Sequence, residues 1–198
     1  TISTDTLKLT PALNYTGTSV ITVIVSDNAL ADTTKFDFKV INVNDAPVIT
    51  AVANETTSED SDGKALKLSA SDVDGDALTY SGIADTSAIT VTSSNDTLKL
   101  IPQANWNGSS VITAIASDGI ASDSTTFTLT VTSVNDPPEL TAIDNQSMEE
   151  DGILSFALSS SDIDGGDPSY SASSDEPNVS ASVEGNQLTL DSGDDWNG

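Results

Sequence analysis

The chain repeats itself, and the period limits what it can fold into. TLKLTPALNYTGTSVITVIVSDNALAD at 6–32 returns as TLKLIPQANWNGSSVITAIASDGIASD at 97–123, and VNDAPV at 43–48 returns as VNDPPE at 134–139, both 91 residues further on. LSASDVDGD at 68–76 is echoed by LSSSDIDGGD at 158–167, and NWNG at 105–108 by DWNG at 195–198. A repeat of about 90 residues divides the chain into three parts. Residues 1–45 are the C-terminal part of one repeat, 46–136 a complete repeat, and 137–198 the N-terminal part of a third. The chain therefore reads as an excerpt of a longer array. The third repeat stops before its sixth and seventh strands. Its open sheet edges would be completed by further sequence or by residues 1–45 of another copy.

Within the complete repeat, hydrophobic residues alternate with polar ones. Leu66, Leu68 and Ala70 interleave with Lys67 and Ser69, and Phe127, Leu129 and Val131 with threonines, the period-2 pattern of half-buried strands. Seven strands are expected, at 48–53, 65–71, 78–83, 88–93, 97–101, 110–117 and 124–133. Asn95-Asp96 marks a hairpin turn, because Asn and Asp tolerate the left-handed conformation such turns use. Seven short strands in about 90 residues describe an all-β chain of tandem Greek-key sandwiches of immunoglobulin-like size.

Composition narrows the chemistry. There is no Cys, His or Arg, and six lysines stand against 31 acidic residues, for a net charge of -25. Ser-His and Cys-His catalysis are excluded, as is most zinc, copper, haem and iron-sulfur binding. The charge repels nucleic acid and anionic lipid, and no apolar run reaches the roughly 20 residues of a membrane span. Carboxylates and carbonyls remain, hard oxygen ligands that suit calcium.

SDVDGDALTY at 71–80 sets Asp72, Asp74 and Asp76 around a glycine. As an EF-hand it fails: counting from Asp72, Ala77 stands where the loop needs Gly and Ile83 where it needs Glu. As a solvated turn it is unremarkable, since Asp-Gly is a common turn pair. As part of a composite site, alternation along an extended segment turns Asp72 and Asp74 to one side. Asn44 and Asp45 of the preceding linker and Asp118 of SDG at 117–119 then share that pole.

The order ASDVDGD, then ASDG, then a strand closing in VNDPP resembles the cadherin repeat with its DxD, A-x-D-x-G and DxNDNxP motifs. SED at 58–60 and EED at 149–151 stand near the place of the cadherin early glutamate. The similarity extends over essentially the whole chain and is to the cadherin-like tandem repeats of large bacterial surface adhesins of the RTX type. It implies calcium ions at the junctions between domains. An upper junction would use Asn44, Asp45, Asp72, Asp74 and Asp118; a lower one would use Glu59, Asp60, Asn135, Asp136, Asp162 and Asp164. Asp76, Glu150 and Asp167 are outer members, and Asp27 would serve the preceding repeat. Where cadherins carry an acidic DRE motif, this chain has ANWNG, which implies fewer or weaker ions per junction.

The resemblance implies a non-catalytic, extracellular calcium-binding region that extends and rigidifies a cell-surface adhesin. Its partners would be calcium, neighbouring repeats and cell-surface polysaccharide or another adhesin copy, with no nucleic acid and no membrane insertion. The alternatives are a carbohydrate-binding or homophilic module, and an accessory segment of a secreted polysaccharide-active enzyme. Trp106, Trp196 and Tyr15 precede a Gly at equivalent places and read as packing residues rather than a sugar platform. The Asn-x-Ser/Thr triplets, such as the one at Asn54, read as accidents of a Ser- and Thr-rich chain.

Overall fold

The computed structural model describes residues 6–193 and the backbone of 2–3; Trp196 lies outside the described residues. All regular structure among them is β. The N-terminal part holds β1 (Ile2–Ser3), β2 (Thr6–Leu7) and a long antiparallel hairpin of β3 (Gly17–Ser26) and β4 (Ala31–Val40). The central part holds β5 (Val48–Ile49), β6 (Glu55–Ser58), β7 (Lys64–Lys67), β8 (Ala70–Ser71), β9 (Thr79–Ala84), β10 (Ile89–Ser94), β11 (Thr97–Pro102), β12 (Gly108–Ser117) and β13 (Ser122–Thr132). The C-terminal part holds β14 (Glu139–Leu140), β15 (Ile153–Ala157), β16 (Ser160–Ser161), β17 (Val179–Glu184) and β18 (Gln187–Ser192).

The central strands make two sheets, ordered β6-β13-β12-β9 and β10-β11-β7, with β5 and β8 paired beside them. Alternation decides which residues meet between the sheets. Leu98 and Leu100 of β11, Ile112, Ala114 and Ala116 of β12, and Phe127, Leu129 and Val131 of β13 are buried, joined by Ile49, Leu66, Leu68 and Ile89. Each fully buried Leu or Ile contributes about 1.5–3 kcal/mol of transfer free energy. The residues between them face outward: Ser109, Val111, Thr113 and Ile115 on β12, and Thr126, Thr128, Thr130 and Thr132 on β13. No acidic residue is among them.

Five of the seven expected strands lie within two residues of their expected bounds. The other two differ. The first, expected at 48–53, is strand only over Val48–Ile49. The chain then leaves β8 and crosses to β6, which the sequence reading did not anticipate and which lies parallel to β13, Glu55 opposite Leu129 and Ser58 opposite Thr132. Asn54 fixes the crossing by accepting the Thr128 N–H (2.9 Å). The second becomes β7 and β8, broken where the Leu68 N–H donates to the Asp96 carbonyl (2.7 Å) and the Ser69 carbonyl accepts from Thr50 (2.8 Å). The expected hairpin at 95–96 joins β10 to β11, with Asn95 at φ 52° and Ser94 opposite Thr97.

Backbone conformation repeats with the sequence. Positive φ recurs at Asn14 and Asn105, at Gly17 and Gly108, and at Asp60 and Asp151, each pair 91 residues apart. Gly108 (φ 149°) lies under Trp106, whose Cζ2 would be 3.1 Å from an added Cβ; Gly17 lies under the Tyr15 hydroxyl in the same way, at 3.3 Å. Trp106 also packs against the central core. It serves as packing, as its place before a glycine led us to expect.

Candidate metal centres at the repeat junctions

Strand pairing assembles each junction. At the upper one, Val48 of β5 pairs with Ser71 of β8, so the linker just before β5 lies beside the turn just after β8. The Asp45 N–H donates to Asp74 Oδ2 (2.7 Å) and the Asp74 N–H to Asp72 Oδ1 (2.8 Å). Asn44 Nδ2 donates to Asp118 Oδ2 (2.9 Å) and to its neighbour's carbonyl, that of Asp45 (3.0 Å). Asp118 Oδ1 also accepts the Ile120 and Ala121 N–H groups. The Ala121 N–H, the Asn44 amide and the Ile120 N–H hold the Asp118 carboxyl below the ordinary aspartate range. All five residues expected at this junction therefore share one hydrogen-bonded group.

One expectation about this group needs correcting. Asp72 and Asp74 converge through a turn, not through alternation along a strand. Asp72 lies just past β8, its side chain caps the Asp74 N–H, and Gly75 takes φ 78°. The turn also brings in Asp76: oxygens of Asp72, Asp74 and Asp76 lie within 4.8 Å of one another. Asp72 Oδ2 is buried without a hydrogen-bond partner.

The lower junction repeats the arrangement. Glu139 of β14 pairs with Ser161 of β16, the Asp136 N–H donates to Asp164 Oδ2 (2.6 Å), and the Asp164 N–H donates to Asp162 Oδ1 (3.0 Å). Asn135 Nδ2 reaches the Asp136 carbonyl (2.9 Å). The central repeat closes the site from below. Parallel pairing of β6 with β13 ends at Ser58 opposite Thr132, which places Glu59 against the outgoing linker. Glu59 is only 2% exposed; its Oε1 accepts the Val134 N–H (2.7 Å) and its Oε2 the Asn107 amide (3.3 Å). Asp60 Oδ1 accepts the Asn105 N–H (2.8 Å).

Asp136 feels this crowding. Desolvation first, then the charges of Asp60, Asp164, Glu59 and Asp162, push its pKa above the ordinary carboxylate range. Its Oδ2 is buried and unpartnered. Every residue expected at the lower junction is therefore at it, including both acids from the facing repeat. The outer candidates Glu150 and Asp167 are exposed and enter none of these hydrogen bonds. Asp27 accepts the Ala29 and Leu30 N–H groups, as Asp118 does from its own loop. Sequence reasoning missed the part played by Asn107. Its only sequence signal was an amide at a place where the resemblance led us to look for a carboxylate.

One family model and several solved structures resemble this chain. Residues 43–132 match the family model described as a cadherin-like domain. No curated protein matches the sequence. Among solved structures, the protocadherin gamma B7 extracellular cadherin domains 1–4 are 19% identical over 89% of this chain and 49% of theirs, with TM-score 0.47. Human protocadherin-24 EC1-2 is 21% identical over 77% of this chain and 79% of its own, with TM-score 0.48. An endo-fucoidan hydrolase of glycoside hydrolase family 107 is 20% identical over 93% of this chain, with TM-score 0.38, and the match spans 31% of the hydrolase. No helix among the described residues is long and apolar enough to cross a membrane. Together, the family match and the two facing sheets give residues 43–132 a cadherin-like fold.

Proposed function

We propose that the junctions bind calcium, and that the chain is a non-catalytic, extracellular stretch of a surface adhesin that calcium stiffens. The observation that supports this most is the recurrence of one acidic arrangement at two junctions, each with a buried, unpartnered carboxylate oxygen, on Asp72 and on Asp136. Such an oxygen suits a hard cation, and the donor set around it is all oxygen. Asn44, Asp45, Asp72, Asp74, Asp76 and Asp118 would hold calcium at the upper junction. Glu59, Asp60, Asn135, Asp136, Asp162 and Asp164 would hold it at the lower.

Each site draws on both sides of a linker, so an ion would tie one repeat to the next. Extracellular modules bind calcium at about 0.1–1 mM, so ~1 mM calcium adds about 0.4–1.4 kcal/mol per site. Calorimetric titration tests this directly. Heat and raised melting temperature are expected in the wild type, with Asp72→Ala and Asp74→Ala losing the upper-junction contribution alone. A wild-type chain whose melting and solution scattering ignore a chelator would overturn the proposal.

A further inference from the structure

The lower junction contains a carboxylate matched only by neutral groups. Glu59 is almost wholly buried, and the donors it meets are the Asn107 amide and the Val134 N–H. A buried carboxylate ordinarily needs a cation or several donors. The loop between β11 and β12 supplies donors here, because it also gives the Asn105 N–H to Asp60. The direction of the Asn107 bond matters. Its nitrogen faces Glu59, so a lone pair that a metal ion would need is spent on a hydrogen. The equivalent positions in the other two copies are Thr16 and Asn197, so none of the three repeats carries a carboxylate there.

We propose that Asn107 sets the number of cations the lower junction holds. Its amide occupies the ground beside Glu59 Oε2 that an additional divalent ion would need, and leaves one ion to be shared by the remaining oxygens of Glu59 and Asp60 with Asn135, Asp136, Asp162 and Asp164. Asn107 is thus a positioning residue that substitutes for an ion. This inference rests on the calcium reading above and concerns stoichiometry, not binding as such.

The test compares the whole chain with its Asn107→Asp variant by calcium calorimetry, alongside thermal melts in chelator and in excess calcium. With calcium removed, the variant should melt below the wild type, because a second carboxylate then faces a buried one. With calcium present it should recover, and it should bind more calcium per chain than the wild type does. A merely structural role for Asn107 would lower the melting temperature without raising the calcium count. Should Asn107→Asp fail to fold, Asn107→Ser withdraws the amide from Glu59 without adding a charge, and the same rise in count is expected. A folded variant with the wild-type stoichiometry overturns the inference while leaving calcium binding intact. A wild type that binds no calcium overturns the reading beneath it.

Discussion

Asp136 carries the clearest residue-scale consequence. Its pKa in the folded chain is raised above the ordinary 3.8 by burial and by four facing acids. The folded state therefore holds this proton more tightly than the unfolded state does. At neutral pH the ionised group works against folding, and stability is regained as pH falls through the raised value, fully so below 3.8. Asp118, held low by its donors, acts the other way and loses its contribution only as pH falls below that ordinary value. In chelator, melting followed by circular dichroism should therefore show a rise in stability on mild acidification, which Asp136→Asn should flatten. Excess calcium should remove the rise, since protons then compete with a bound cation. The aspartates that make this site were legible because their spacing recurs with the period. The burial of Glu59 and its amide partner were not, because a charge in a polar segment reads as exposed until the fold closes over it.

At the scale of strands, side-chain alternation was the strongest sequence signal, and it identified Leu66, Leu68, Phe127, Leu129 and Val131 as inward-facing before any pairing was known. The same pattern could not show that residues 48–58 would serve two sheets. Each half of that segment alternates acceptably, and only the partners, β8 for one half and β13 for the other, decide where it breaks. Two substitutions probe this level. Leu98 is fully buried between the sheets, so Leu98→Ala should cost about 2–5 kcal/mol in denaturant titration, the range for a core cavity. Gly63 sits at φ 88° in the turn before β7, and an added Cβ would run into the Leu100 carbonyl oxygen. Gly63→Ala should therefore destabilise by more than ~1 kcal/mol by the same measurement, where an exposed glycine in open space would change little.

For the whole molecule, what matters is where the charge sits. A net charge of -25 suggests a uniformly acidic surface, yet the outer face of β12 and β13 carries hydroxyls and aliphatics, while aspartates crowd the linkers and turns. Repulsion is therefore concentrated at the joints, within about one Debye length of the linkers at physiological salt. Small-angle scattering should show the chain more bent and more variable in chelator, with added monovalent salt giving part of the stiffening that calcium gives.

The pairing of β6 with β13 has a mechanical consequence. The first of these strands lies near the start of the complete repeat and the second at its end, and they run parallel. Tension applied along the array pulls them in opposite directions, so their hydrogen bonds, from Glu55 opposite Leu129 to Ser58 opposite Thr132, are loaded together in shear rather than peeled one at a time. Glu59 continues that ladder, its N–H donating to the Thr132 carbonyl (3.0 Å), before its side chain enters the acidic junction. An array built from such repeats would resist extension through the same short ladder that ends at its acidic joint. In single-molecule pulling, the repeat should yield at a higher force with calcium present than without it.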